Sequence, residues 1–105
     1  MAEIDAVVLE NVQRFLEKLR ASGITISKAY IFGSYASGKA GKWSDIDIAI
    51  VSPQVGKDRF EERVKLAKLA ISVDDRLEPL PFNQDTFNDN DPFVQKIKKE
   101  GLMVN

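Results

Sequence analysis

Residues 29–51 read AYIFGSYASGKAGKWSDIDIAIV, two apolar runs held apart by a loop of small residues. The first run ends a segment, Ile24 to Phe32, that is rich in β-branched and aromatic residues, the composition of a buried strand. The second opens on Asp45-Ile46-Asp47-Ile48, turns apolar on both faces and stops at Pro53, so it reads as another strand. Between them, Gly33 to Ser44 carries the chain's one glycine cluster, with room for a single helical turn after Ser34.

The flanks extend this strand–loop–strand unit. Upstream, Val7, Val8, Val12, Phe15, Leu16 and Leu19 recur at the three-and-four spacing of one helical face, in a helix that starts at Ile4 and stops at Ser22-Gly23. Downstream, Asp58 to Val73 reads as a charged amphipathic helix with Phe60, Val64, Ala67 and Ile71 on its apolar face. Arg76 to Phe82 is a short extended run that Pro79 and Pro81 confine to a sheet edge. Asp91-Pro92 is an N-cap with proline at the first helical position, and Gly101 the matching stop of a last helix. The order α-β-(short α)-β-α-β-α predicts an α/β (α+β) fold, a small mixed sheet with flanking helices. With 105 residues there is material for one core, so residues 1–105 are expected to form a single domain, any second lobe coming from elsewhere.

Apolar residues make up 44% and charged residues 30%, the balance of an ordinary globular protein. Fifteen basic and sixteen acidic residues leave a net charge of −1, which argues against a surface built for a long nucleic acid. The chain has no cysteine and no histidine, which excludes thiol nucleophiles, disulfides, histidine-based triads and the usual zinc ligand sets. Apolar stretches such as Ile48 to Val51 are far below the roughly 20 residues of a membrane helix, and MAEIDAVV lacks a basic signal-peptide start. No membrane association and a cytoplasmic location are therefore expected.

In a strand, residues i and i+2 share a face, so Asp45 and Asp47 project side by side with Cα atoms roughly 6 to 7 Å apart. Two like charges about 5 Å apart at an effective dielectric near 20 repel by roughly 3 kcal/mol, which calls for a cation between them. Mg²⁺ takes oxygen ligands and is commonly held by one or two carboxylates plus substrate phosphates, which suits a strand-borne pair at a loop edge. Gly33-Ser34 closes the preceding strand, where a residue without a side chain lets a phosphate approach the backbone and Ser34 can donate a hydroxyl. Gly33 to Ala40 nearly satisfies G-x-x-x-x-G-K-[ST], but Ala40 lacks the hydroxyl, and a strand rather than a long helix follows. An EF-hand fails because no glycine or distal glutamate follows Asp45-Ile46-Asp47 at the needed spacing.

Together, Gly33-Ser34, ten intervening residues and Asp45-Ile46-Asp47 resemble the G-S-x10-D-x-D signature of the nucleotidyltransferase superfamily that includes DNA polymerase beta. The chain further resembles its minimal branch, often encoded beside a helical HEPN-type partner, through RLEPLPF at 76–82 and DPFVQKIKKEG at 91–101. The resemblance implies a nucleotidyltransferase fold and Mg²⁺-dependent transfer of a nucleoside monophosphate, an adenylyl group where the substrate is ATP rather than another nucleoside triphosphate, to a hydroxyl of a protein or small molecule, with pyrophosphate leaving. It implies Asp45, Asp47 and Glu78 as catalytic and metal-binding residues, in a site with room for two metals. Asp74 and Asp75 compete with Glu78 if the register slips. Gly33, Ser34, Lys39 and Lys42 are implied in nucleotide binding.

Many relatives carry arginine soon after the glycine-serine pair, where this chain has Tyr35 and Ser37, and Lys39 and Lys42 are the substitutes at hand. Trp43 either stacks on a base or, as its size favours, pins the loop to the core. Lys96, Lys98 and Lys99 suit the negative end of the last helix as a solvated face, and Phe82, Phe87 and Phe93 read as core or flank. The partner implied is a HEPN-type helical protein or a second copy of the chain. An alternative is a non-catalytic module, an antitoxin that neutralises a HEPN-type ribonuclease by covering it.

Overall fold

The computed structural model describes residues 4–41, 44–56 and 59–105. Lys42, Trp43 and Asp58, on which three of the expectations above fall, lie outside the described residues. Helix α1 (Ala6–Ala21) leads into strand β1 (Lys28–Phe32), the single turn α2 (Ser34–Ser37), strand β2 (Ile46–Ser52) and helix α3 (Arg59–Ile71). Strand β3 (Leu77–Asn83), helix α4 (Pro92–Glu100) and a short strand β4 (Leu102–Met103) complete the order. The strands form one mixed sheet, β3-β2-β1-β4, in which β1 runs antiparallel to β2 and β4, and β2 runs parallel to β3.

Alternation along the strands builds two cores. Ile46, Ile48 and Ile50 of β2, Ala29 and Ile31 of β1 and Leu77 of β3 face α1 and α3, where Val12, Phe15, Leu16, Leu19, Leu66 and Ala70 close over them. The opposite face carries Tyr30, Ala49, Val51 and Phe82, covered by Phe87 and by Val94 and Ile97 of α4. Phe82 and Phe87 are thus core, as expected, and Phe93 is a flank, 44% exposed.

Helix ends follow their local chemistry. Asp91 accepts a hydrogen bond from the Phe93 amide at 2.9 Å with Pro92 in the first turn. Gly23 at φ +88° lets the Ile24 amide turn back to the Leu19 carbonyl at 3.0 Å. That cap also shortens β1, which begins at Lys28 rather than Ile24. The Ile24 amide is spent on α1 and the Thr25 amide on the Gln54 side chain at 2.6 Å, so neither joins the ladder.

The proline-limited edge is where the sequence placed it. The Ile46 amide donates to the Arg76 carbonyl and the Gln84 amide to the Ser52 carbonyl, so the even-numbered residues of β3 face β2. Pro79 and Pro81 therefore turn their missing donors to the open side and cost the ladder nothing.

Two further expectations are overturned. The apolar face assigned to α3 is the wrong one: Phe60, Val64 and Ile71 are 77%, 38% and 68% exposed, while Leu66 and Ala70 are buried. The helix packs chiefly on β3, with its 66-and-70 stripe inward. The second departure is β4, which pairs Met103 with Tyr30 and Leu102 with Ile31 where the sequence reading ended in a helix.

The turn into β4 depends on Gly101. A Cβ there would lie 2.4 Å from the Ile97 carbonyl oxygen and 3.1 Å from that of Ile31, both backbone atoms. Gly101→Ala is expected to cost about 1–3 kcal/mol in urea denaturation. Gly56→Ala, where a Cβ meets nothing within 4 Å, serves as the control and should stay within about 0.5 kcal/mol. Among the described residues no helix is long and apolar enough to cross a membrane.

Candidate active site

The register of the sheet brings the acidic residues to one end. Asp47 pairs with Phe32 of β1 on one side and with Glu78 of β3 on the other. Its isoleucine neighbours Ile46 and Ile48 are fully buried on the α1 and α3 face, so Asp47 projects to the other face. Glu78 shares that face, since Leu77 before it belongs to the first core. Asp45 lies one residue before β2 and is exposed.

The carboxylates are electrostatically coupled. Partial burial, then the charge of Asp45, then that of Glu78 raise the Asp47 pKa above its usual value. Among the described residues no three acidic side chains converge tightly enough to hold an ion by themselves. Glu78 instead stands 3.8 Å from Arg63 of α3, an exposed pair worth little in water.

The donor set still fits a hard divalent cation. It offers only carboxylate oxygens, and the strain on Asp47 is of the sign a cation would relieve. Magnesium takes one or two protein carboxylates and completes its octahedron with phosphate and water, so a closed three-carboxylate cage is not required.

The glycine-serine turn abuts this group. Phe32, the partner of Asp47, is followed by Gly33 at φ +73°, ψ −145°, and a Cβ on Gly33 would lie 2.3 Å from Asp47 Oδ2. The carboxylate thus rests on the bare backbone of the turn. Ser34 opens α2, where the Ser37 amide donates to the Gly33 carbonyl at 3.1 Å and the Lys39 amide to the Ser34 carbonyl at 2.9 Å. Lys39 follows the turn and is exposed.

Asp74, the rival third carboxylate, is committed elsewhere. It accepts from Arg76 Nε at 3.1 Å, from Arg76 Nη2 at 2.8 Å, from the Arg76 amide at 2.9 Å and from Asn11 Nδ2 of α1 at 3.1 Å. The remaining guanidinium nitrogen, Nη1, donates to the Tyr35 hydroxyl at 3.3 Å. Asp75 is exposed. The sequence reading missed this network: Asp74-x-Arg76 has the spacing of a side chain bonding its own backbone two residues on, but Asn11 and Tyr35 are 63 and 41 positions from their partners, and nothing local announces them.

Hydrogen bonding from Arg76 holds the Asp74 carboxyl down at about 2, against an ordinary 3.8. A depressed carboxylate stabilises the fold fully above its unfolded value and ceases to do so as pH falls towards the folded one. Asp74→Asn should therefore cost on the order of 1–2 kcal/mol at pH 7, discounted for the partly exposed arginine. In denaturant titrations the gap from wild type should narrow steadily between pH 4 and pH 2.

Two concavities of the described surface are lined by none of the three carboxylates. One of about 340 Å³ is bounded by Val55, Arg59, Phe82 and Asn83, and another of about 830 Å³ by Phe60, Val64, Lys68 and Leu69.

A family model described as a nucleotidyltransferase domain matches residues 5–103. The chain belongs to that family. Solved nucleotidyltransferase-like chains share its architecture. A toxin–antitoxin crystallised with AMP-PNP aligns at 24% identity and TM-score 0.65, over 89% of this chain and 71% of its own. A MntA–HpeT toxin–antitoxin mutant aligns at 25% identity and TM-score 0.61, over 87% and 68%. A protein from Sulfolobus solfataricus assigned as a nucleotidyltransferase aligns at 17% identity and TM-score 0.62, over 98% and 89%. No curated protein matches the sequence. The four-stranded mixed sheet with flanking helices is thus a nucleotidyltransferase fold.

Proposed function

We propose that this nucleotidyltransferase moves an adenylyl group from ATP to a hydroxyl of a protein or small molecule, in a Mg²⁺-dependent reaction aided by a helical partner subunit. The observation that carries the reading is the placement of Asp47 against Gly33 and beside Asp45 and Glu78 at one sheet end. Asp45 and Asp47 hold the metal, and Glu78, once released from Arg63, completes the set or takes the acceptor's proton. The bare Gly33 backbone and the Ser34 hydroxyl receive the outer phosphates, with Lys39 and Lys42 as cations. The acceptor oxygen forms a bond to the α-phosphorus, the bond to the bridging oxygen breaks, pyrophosphate leaves with that electron pair, and the hydroxyl proton passes to a carboxylate. Bound magnesium would supply charge stabilisation for the attacking and leaving oxygens.

Titration calorimetry tests this. Wild type with ATP and Mg²⁺ should give saturable heat, and Asp45→Asn with Asp47→Asn should give none. Undiminished heat in the double variant would remove the assignment.

A second reading has its own support, the exposed stripe Phe60, Val64 and Ile71 on α3 and the toxin–antitoxin neighbours. On it the chain is an antitoxin that neutralises a HEPN-type ribonuclease by covering it. Neutralisation that survives loss of Asp45, Asp47 and Glu78 would decide for covering over chemistry.

A further inference from the structure

Besides the contact of Asp47 with Gly33, a second link joins the glycine-serine turn to the carboxylate strand. Arg76 touches both. Its carbonyl accepts from the Ile46 amide at 2.7 Å, fixing the backbone between Asp45 and Asp47. Its Nη1 donates to the hydroxyl of Tyr35, the residue after Ser34. Asp74 grips the rest of the guanidinium through Nε and Nη2 and is itself tied to α1 by Asn11. Because Asp74 neutralises the guanidinium and occupies its fork, Arg76 is not a free phosphate ligand.

We propose that Arg76 is a positioning residue, a strap that sets the distance between the phosphate turn and the carboxylate strand through Tyr35 on one side and Ile46 on the other. The inference rests on the reading of the site given above. It assigns Tyr35 a role: where the turn carries no arginine, a phenol packed against the first core anchors that turn to the arginine that precedes β3. A side chain held by three hydrogen bonds to Asp74 and Tyr35 is fixed in place, and a turn tethered to it is ordered before nucleotide arrives, which lowers the ordering cost of binding.

Two variants separate positioning from packing. Tyr35→Phe keeps the ring and loses the hydroxyl, while Arg76→Lys keeps the charge and loses the fork. Nitrogen-15 relaxation of the Gly33 to Lys39 amides is measured without ligand, and Mg²⁺·ATP affinity by calorimetry. In Tyr35→Phe the melting temperature should stay within about 2 °C of wild type. Its turn order parameters should fall towards those of a flexible loop, and its affinity should drop about threefold to tenfold, the scale of one hydrogen bond. Arg76→Lys should loosen the turn and weaken binding likewise, with a lower melting temperature as well because the fork on Asp74 is lost, and the pair together should add little to either alone in order parameters and affinity.

Unchanged order parameters in both variants overturn the strap whatever the nucleotide data show. A loosened turn with wild-type affinity overturns it too, as packing only. A wild-type chain that fails to bind Mg²⁺·ATP sinks the parent reading instead, and the relaxation arm still decides whether Arg76 orders the turn.

Discussion

Asp47→Asn is expected to abolish saturable Mg²⁺·ATP binding, by at least about a hundredfold, because it removes one of the two carboxylates proposed to hold the metal. The same variant should melt at or above the wild-type temperature at pH 8. Burial, Asp45 and Glu78 all raise the Asp47 pKa, so the ionised carboxylate opposes folding. The sign follows from linkage: a carboxyl with a raised folded pKa destabilises the native state fully above that pKa, and the penalty fades as pH falls through it. Asparagine keeps the shape and removes the charge, so its advantage over wild type should be greatest at pH 8 and shrink on acidification. Thermal melts of both proteins from pH 8 to pH 4 read this directly. A variant that binds nucleotide normally would show the site is misplaced. One that melts well below wild type at pH 8 would make Asp47 a structural residue.

A carboxylate whose charge opposes folding is also the reason the candidate site was legible before the fold. Asp45-Ile46-Asp47 stands out because the strand period sets two like charges on one face, and the structure places Asp47 there with Ile46 and Ile48 fully buried behind it. Gly33 was legible for the same local reason, at a sharp end of a strand. What stayed hidden depends on distant chain. Arg76 and Tyr35 meet across 41 positions, and no periodicity reports that. The face of α3 was misread because the helix carries two apolar stripes. One runs through Phe60, Val64, Ala67 and Ile71, the other through Leu66, Leu69 and Ala70, and only the sheet edge chooses between them. The strand after Gly101 was missed because two residues, Leu102 and Met103, are too few for an alternation to register.

Gly33→Ala should fail in two ways that can be measured apart. At φ +73°, ψ −145° the backbone lies close to the region that only glycine occupies readily, so any side chain adds strain of roughly 1–3 kcal/mol. The new methyl would also stand 2.3 Å from Asp47 Oδ2. The obstructing atom ends a rotatable side chain, so the carboxylate can swing away and the fold can survive, but it then leaves the place where it meets Asp45. A fall in melting temperature of about 10 °C, for roughly 2 kcal/mol in a chain this size, together with loss of Mg²⁺·ATP binding, is the expected result. The cycle with Asp47→Ala isolates the contact. The Cβ of residue 47 would lie an unstrained 3.5 Å from that of residue 33, so in that background Gly33→Ala should carry the backbone strain alone and cost less than in wild type. Equal costs in both backgrounds would mean that the carboxylate does not rest on the glycine, and with that contact gone the turn and the acidic strand would no longer form one site.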